Sequence, residues 1–483
     1  MSVSDDAAAE FREVGHRLVD LLAEYLDGIE GLDVFPDASP EDLERLFAEP
    51  LPREGVPLAG VVAELEKKLL PNCTHVGHPG YFGFITPSPL PAGGLADLLA
   101  SVLNQNPGAW AIGPGSVAME RRVVRWLCDL VGYDGAAGGN LTSGGMMANF
   151  IGLKLARDAV SGDRAQHEGV RGGWAVYTSD ERHVAIDKAV DAVGLGRESL
   201  RVVPTDDTFR IDLAALDAAI ERDRAAGVRP LCLVAMGGST NTGAADPLAQ
   251  LRRIADREGA WLHVDAAYGA AMLLSPEGRD VLAGLELADS VAVDPHKWFF
   301  APVDAGAILV RDASQLIRSF GMEPAYLAEE LDEAGERYQY FVHGFEQSRR
   351  FRALKVWTIF KRYGTAAIGR FVEANVEQAR RLYDLAEADA EFEGAVRPAM
   401  SAVCVRYRGA DLDEDTRARL HARVVRRIEE GGRFWITTTR LKGRPWFRVN
   451  PVNFRTRLEH MDQLFELLRA ECGRAAGELT RAS

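Results

Sequence analysis

A chain of 483 residues, 47% hydrophobic and 26% charged, is long enough for two or three domains with cores of their own. A net charge of −15 argues against a broad nucleic-acid footprint. Five scattered cysteines with no C-x-x-C pair give no disulfide or thiolate-metal framework and suit a reducing compartment. The opening SVSDDAAAE lacks the basic and apolar regions of a signal peptide, and no apolar run reaches the length of a membrane span, so a soluble cytoplasmic protein is expected.

Phe11, Val14, Leu18, Leu21, Leu22 and Tyr25 recur at helical spacing and predict an amphipathic helix that needs a partner surface. Prolines 36, 40, 50, 52 and 57 keep the next segment extended or in short pieces, before a second helix from Pro57 to Leu70. Residues 1–90 are therefore expected to form a helical arm with too small a core to stand alone. Within it, HPGYFGFITPSPLPAGG mixes glycine and proline with aromatics and is read as one wall of a pocket, around Phe82, Phe84 and Ile85. Helices follow at Leu95–Asn104 and Val117–Val131.

From there to about residue 310 strands and helices alternate, which predicts a mostly parallel sheet covered on both faces, in a large domain spanning 91–368. The expected strands are Trp174–Thr178, Arg201–Val203, Leu231–Ala235, Trp261–Val264, Ser290–Val293 and Ala307–Val310. The helices between them are Met146–Asp158, His183–Val193, Leu213–Ala225 and Pro247–Glu258. Beyond a long helical stretch ending near Ala390 the pattern changes. A strand in SAVCVRYRG, a helix at Asp415–Glu430, a strand pair in RFWITTTRLKG and PWFRVNPVNF, and a last helix opened by a Thr456/Glu459 capping box predict a smaller α+β domain over 369–483.

Chemistry concentrates at the strand ends of the large domain. In ADSVAVDPHKWFF, Pro295 stops the strand and delivers His296, Lys297 and Trp298 just beyond it, where open α/β sheets bind ligands. A lysine among apolar neighbours there is expected to have a lowered pKa and to be a nucleophilic amine. In GGNLTSGGMMANF, Thr142, Ser143, Gly144 and Gly145 precede a helix, and backbone N–H groups with hydroxyls could cradle a phosphate. His183 begins a helix after a strand, where an imidazole can stack on a flat ligand, and Ser239 and Thr240 follow another strand. WLHVDAAYGA ends in Asp265, a buried carboxylate that calls for a cation, and Ala266 and Ala267 leave room beside it. His263-x-Asp265 is read as two side chains on opposite faces rather than a metal pair, His75-x-x-His78 lacks further ligands, and no metal is expected. A phosphate nest, a stacking imidazole, a carboxylate and an amine together fit pyridoxal 5'-phosphate.

On VDPHKW, HVDAAYG, TSGG, NPGAW and SRRFRALKVW the chain resembles the pyridoxal-phosphate-dependent group II amino-acid decarboxylases, from about Phe11 to the final helix. The resemblance implies the aspartate-aminotransferase-like α/β fold (fold type I), with a helical arm, a large cofactor-binding domain and a small C-terminal domain. It implies catalytic roles for Lys297, His183, Asp265 and Tyr326. Lys297 resembles the lysine that captures the cofactor aldehyde, and Asp265 the partner of its ring nitrogen. His183 and Ala267 resemble the residues on its two faces. Ser143, Gly144 and His296 would hold the phosphate, with Ser239 where relatives often carry threonine. Asp294 stands where relatives of the aromatic type often carry asparagine, so a phosphate contact from it is not expected. FGMEPAYLAEEL resembles a mobile loop whose tyrosine, here Tyr326, returns a proton to the substrate carbon. Arg349 resembles an arginine near the site. The implied reaction is decarboxylation of an L-amino acid, with an aromatic side chain expected against Phe82, Phe84, Ile85 and Trp110, in a homodimer with composite active sites. The alternatives are an acidic or small aliphatic substrate, an aldehyde synthase, transaminase or aldolase, and an inactive homodimeric interaction protein.

Overall fold

The computed structural model describes residues 7–162, 164–322, 337–409 and 411–482. Seven strands, β1 (Gly138–Thr142), β2 (Trp174–Ser179), β3 (Leu200–Val203), β4 (Arg229–Met236), β5 (Trp261–Asp265), β6 (Ser290–Val293) and β7 (Gly306–Val310), form one sheet. Their order is β1-β7-β6-β5-β4-β2-β3. Pairings from β6 through β3 are parallel, and β7 runs antiparallel to both of its neighbours. This is the fold type I α/β architecture.

Strand alternation divides the core into two layers. On β5 and β6, Leu262, Val264, Val291 and Val293 point to one face, while Trp261 and Ala292 join Ala148, Ile151 and Leu155 of the helix Gly145–Ser161 on the other. The expectation that His263 and Asp265 point apart is incorrect, because residues two apart on a strand share a face, and both lie under that helix.

β1 is absent from the expected strands, since Gly138, Gly139 and Asn140 are poor strand formers. The pairing explains the glycine: a Cβ on Gly139 would sit 2.1 Å from the Ile308 carbonyl oxygen. Between β6 and β7 the chain makes only a short loop, and this loop carries Lys297.

The helix Ala353–Ala388 is broken at Gly364, whose φ of 72° is left-handed, and it leads to a second sheet. That sheet contains β8 (Phe392–Gly394), β9 (Val403–Tyr407), β10 (Thr437–Leu441) and β11 (Arg444–Val449), all antiparallel, in the order β10-β11-β9-β8. Its core joins Val405, Phe447 and Val449 to Leu420 and Val424 of the helix Glu414–Glu430 and Met461, Leu464 and Leu468 of the helix Leu458–Ala482. The expected Thr456/Glu459 capping box does not form. Thr456 donates its hydroxyl to the Pro79 carbonyl (2.8 Å), and His460 Nδ1 accepts the Arg457 N–H (2.9 Å). At the other end of the chain the helix Ala7–Gly28 packs on the helix Leu58–Lys68, and Glu10 caps the latter by accepting the Leu58 N–H at 3.0 Å.

Candidate active site

Lys297 is fixed by the turn that ends β6. Its N–H donates to the Asp294 carbonyl (2.9 Å), and the His296 N–H donates to Ala305 (3.0 Å). Trp298 locks the turn into the core, stacked on Tyr268 with ring centroids 5.1 Å apart and donating its indole N–H to Asn375 Oδ1 at 3.0 Å. Lys297 Nζ lies 3.0 Å from Asp294 Oδ2, with about a quarter of the side chain open to the cleft.

This geometry corrects the expected direction of the lysine's pKa. Burial alone would depress the ammonium, but Asp294 and then Asp265 outweigh it, and the pKa is raised. His296 accepts the Ala305 N–H at Nδ1 (2.8 Å), so its Nε2 carries the hydrogen and faces Asp294 Oδ2 at 3.6 Å. The second Asp294 oxygen is buried without a hydrogen-bond partner among the described residues.

Asp265 ends β5. One oxygen accepts from Asn149 Nδ2 at 2.8 Å and the other from the Ala267 N–H at 3.2 Å. His183 caps the helix Val184–Ala192, its Nδ1 accepting the Ala185 N–H at 3.1 Å, which turns Nε2 outward. Burial lowers the His183 pKa and Lys297 adds to that, against the opposing pull of Asp265 and Asp294.

Lys297, Asp265, His183 and Ala267 line one cleft. Gly145, Met146, Asn149, Met236, Gly238, Thr240, Tyr268 and Asp294 complete it. Among the described residues no side chain caps the helix that starts at Gly145, which leaves its first backbone N–H groups to an anion. A Cβ on Gly144 would lie 3.0 Å from His296 Cε1, and one on Gly145 would lie 2.8 Å from Asp294 Oδ2 and 3.0 Å from Ala267 Cβ. The cradle thus depends on glycine. Ser143 is exposed at its rim. Ser239 is buried and committed elsewhere, bonded to Glu181 Oε2 (3.2 Å) and Thr242 Oγ1 (2.8 Å), while its neighbours Gly238 and Thr240 face the cleft.

A flat, phosphorylated aldehyde fits this donor set. The uncapped helix end would take a phosphate and the buried carboxylate a ring nitrogen, an amine stands at the strand end, and His183 and Ala267 border the space between.

The aromatic wall is arranged differently. Phe82 is fully buried against Phe434 in the core of the small sheet. Phe84 is exposed, edge-on to Trp435, and borders a neighbouring cleft that shares Thr240 with the first. Ile85 packs on the main core, and Trp110 is half-buried in a short turn, its N–H donating to Gln339. None of the four lines the Lys297 cleft. Tyr326 lies outside the described residues. Arg349 is buried away from the cleft, paired with Glu120 and donating to the Leu141 carbonyl at 2.7 Å. Sequence reasoning missed Asn149, whose signal was its position one turn after Gly145 on the inward face of the helix.

A family model described as the pyridoxal-dependent decarboxylase conserved domain matches residues 40–408. The chain is 32% identical over 465 residues to an aromatic-L-amino-acid decarboxylase of Bacillus atrophaeus, covering 96% of each. It is 35% identical over 415 residues to a tyrosine decarboxylase of Oryza sativa subsp. japonica, covering 83% of this chain and 77% of the other. The solved structure of Oryza sativa TDC with PLP and tryptamine superposes with a TM-score of 0.90 at 29% identity, over 98% of this chain and 99% of that one.

Proposed function

The chain belongs to the pyridoxal-dependent decarboxylases, and we propose that it converts an aromatic L-amino acid into the corresponding amine and carbon dioxide. The observation that carries this reading is the convergence of Lys297, Asp265, His183 and Ala267 on one cleft beside an uncapped helix end. Bound there, pyridoxal 5'-phosphate supplies a carbonyl for an amino group and a ring that draws electrons from the substrate carbon.

The chain's own residues do the rest. Lys297 would hold the cofactor through Nζ and would give way to the substrate amine. Asp265 would keep a proton on the ring nitrogen, and His183 and Ala267 would hold the ring between them. The Gly144–Gly145 backbone, His296 and Ser143 would hold the phosphate, with Ser239 supporting the loop. Tyr326 returns a proton to the substrate carbon after carbon dioxide leaves.

Aromatic preference is supported by relatives bearing aromatic, tyrosine and tryptophan decarboxylase names. Phe84 and Trp435 offer an apolar surface next to Thr240, which the two clefts share. The test is a panel of L-amino acids scored for released carbon dioxide. Tyr, Trp, Phe or DOPA should lead; a lead by Glu or Val would overturn the substrate class, and 2-oxo acid in place of amine would overturn the reaction. Stoichiometric aldehyde and hydrogen peroxide would point to an aldehyde synthase.

The protein is further proposed to work as a cytoplasmic homodimer with composite sites. Two apolar faces support dimerisation: Phe11, Leu18 and Leu22 on the first helix, and Leu95, Leu99 and Val102 on the helix Pro91–Leu103, all exposed in the single chain. Among the described residues no helix is long and apolar enough to cross a membrane. Sedimentation of the holoenzyme as a monomer at micromolar concentration would refute the dimer.

A further inference from the structure

Behind Asp265 the cleft is backed by polar side chains that no step of the proposed reaction uses. Trp261, His263 and Asp265 occupy alternate positions of β5, and Ser290 on β6 stands in register with His263. Trp261 Nε1 donates to Ser290 Oγ at 2.8 Å, and Ser290 Oγ lies 2.8 Å from His263 Nδ1. His263 Nε2 lies 2.8 Å from Asn149 Oδ1, and Asn149 Nδ2 donates to Asp265 Oδ2 at 2.8 Å. All five residues are buried. The helix above makes room for the imidazole with Gly152, where a Cβ would come within 2.4 Å of His263 Cε1.

The carboxylate end of this chain fixes its direction. An indole N–H can only donate and a carboxylate can only accept. Asn149 therefore turns its NH₂ to Asp265 and its oxygen to His263, so Nε2 must carry the hydrogen. Nδ1 must then accept from the Ser290 hydroxyl, whose oxygen already takes the Trp261 N–H. One imidazole tautomer satisfies every contact; the other sets two acceptors, Nε2 and the Asn149 oxygen, facing each other. Burial also pushes the His263 pKa down to about 4, so the ring is neutral at physiological pH.

We propose that His263 and Asn149 are positioning residues for Asp265, a hydrogen-bond relay of one polarity that holds its carboxylate from behind and presents it into the cleft as an acceptor. This rests on the reading that the cleft holds pyridoxal 5'-phosphate with its ring nitrogen toward Asp265. Cutting the relay frees the Asn149 amide to turn its oxygen to the carboxylate, which rotates or repels it and weakens its hold on a protonated ring.

The test uses full-length apoprotein titrated with pyridoxal 5'-phosphate without substrate, followed by tryptophan fluorescence and by the visible band of the bound cofactor. Three variants are compared: His263→Leu, Asn149→Ala, and His263→Gln, whose amide can replace the lost donor. The dissociation constant should rise at least about tenfold in the first two and stay within about threefold of wild type in the third. The pH midpoint of the bound cofactor's band should move in the same two variants. The double variant His263→Leu/Asn149→Ala should bind no more weakly than Asn149→Ala alone, because the relay is already cut. Unchanged binding and spectrum in the single variants, or losses that add in the double, overturn the relay. Should His263→Leu fail to fold, Asn149→Ala, which shortens one helix side chain, decides the matter against wild type. If wild type takes up no cofactor, the cofactor reading falls and the proposal with it, whereas normal uptake by wild type and single variants alike overturns the proposal alone.

Discussion

Asp294 Oδ2 stands 3.0 Å from Lys297 Nζ, and this contact, joined by the charge of Asp265, outweighs burial in setting the charge of the lysine before any cofactor arrives. Asp294 and Asp265 raise the Lys297 pKa, so at neutral pH the amine is protonated and must shed a proton before it can attack a carbonyl. The ion pair stabilises the folded apoprotein below the ordinary lysine pKa, and that contribution is lost as pH rises through the raised value. Asp294→Asn removes the largest upward pull. Its apoprotein should take up pyridoxal 5'-phosphate faster at pH 7 to 8, with the pH profile of the uptake rate moved downward, and should be less stable when empty. A rate profile that superposes on wild type would reject this role for Asp294.

Gly145 is held to glycine by what surrounds it. A methyl group there would press on Asp294 Oδ2 and Ala267 Cβ, both of which border the cleft and neither of which is the end of a long flexible chain. Gly145→Ala should cost the apoprotein about 1–3 kcal/mol in denaturant unfolding, as overpacking does elsewhere. It should also weaken cofactor binding by a larger factor than it weakens the fold, since the displaced groups line the site. Equal losses, or none, would show that the cradle has slack.

How much of this is legible in the chain differs by element. β2 and β4 to β7 stand out as short β-branched or apolar runs bounded by turn residues, and polar side chains at their ends draw attention to Lys297, Asp265 and His183. β1 is illegible because its glycine serves a backbone contact with Ile308, which no propensity records. Aromatics in a Gly/Pro-rich stretch have no period, so nothing in the sequence says that Phe82 turns to the small sheet while Phe84 stays exposed. Asn149 looks like a polar helix residue, and only the crossing of its helix over β5 makes it the neighbour of Asp265. The direction of the Lys297 shift depends on an aspartate three residues away folding back onto it, which is a matter of turn geometry.

Arg349 acts at a distance from the cleft. It and Glu120 form a buried pair, Glu120 accepts the Leu141 N–H at 2.9 Å, and Arg349 donates to the Leu141 carbonyl. Together they clamp β1 one residue before Thr142, where the chain turns into the phosphate cradle. Arg349→Leu leaves the Glu120 carboxylate buried and unpaired and should cost about 3–5 kcal/mol in urea unfolding. Replacing both partners with leucine should recover much of that loss, because no charge is then stranded. A single variant as stable as wild type would show that the pair is incidental.

His421 offers a prediction in which the pH dependence has a definite sign. It is fully buried in the helix Glu414–Glu430, stacked on Phe447 with centroids 4.0 Å apart, and neither ring nitrogen has a hydrogen-bond partner among the described residues. Burial first, then the nearby Arg417 and Arg406, push its pKa down to about 3. Because the folded value lies below the ordinary 6.5, the unfolded chain binds more protons between pH 6.5 and about 3, and stability falls as pH falls through that window. His421→Phe keeps the stack and removes both the stranded nitrogens and the titration. It should raise stability at pH 7 by about 1 kcal/mol and widen its lead over wild type at pH 5, as read from urea midpoints at the two values. A variant whose advantage is the same at both pH values would mean that His421 does not titrate between the two states, and the buried, neutral ring would have to be abandoned.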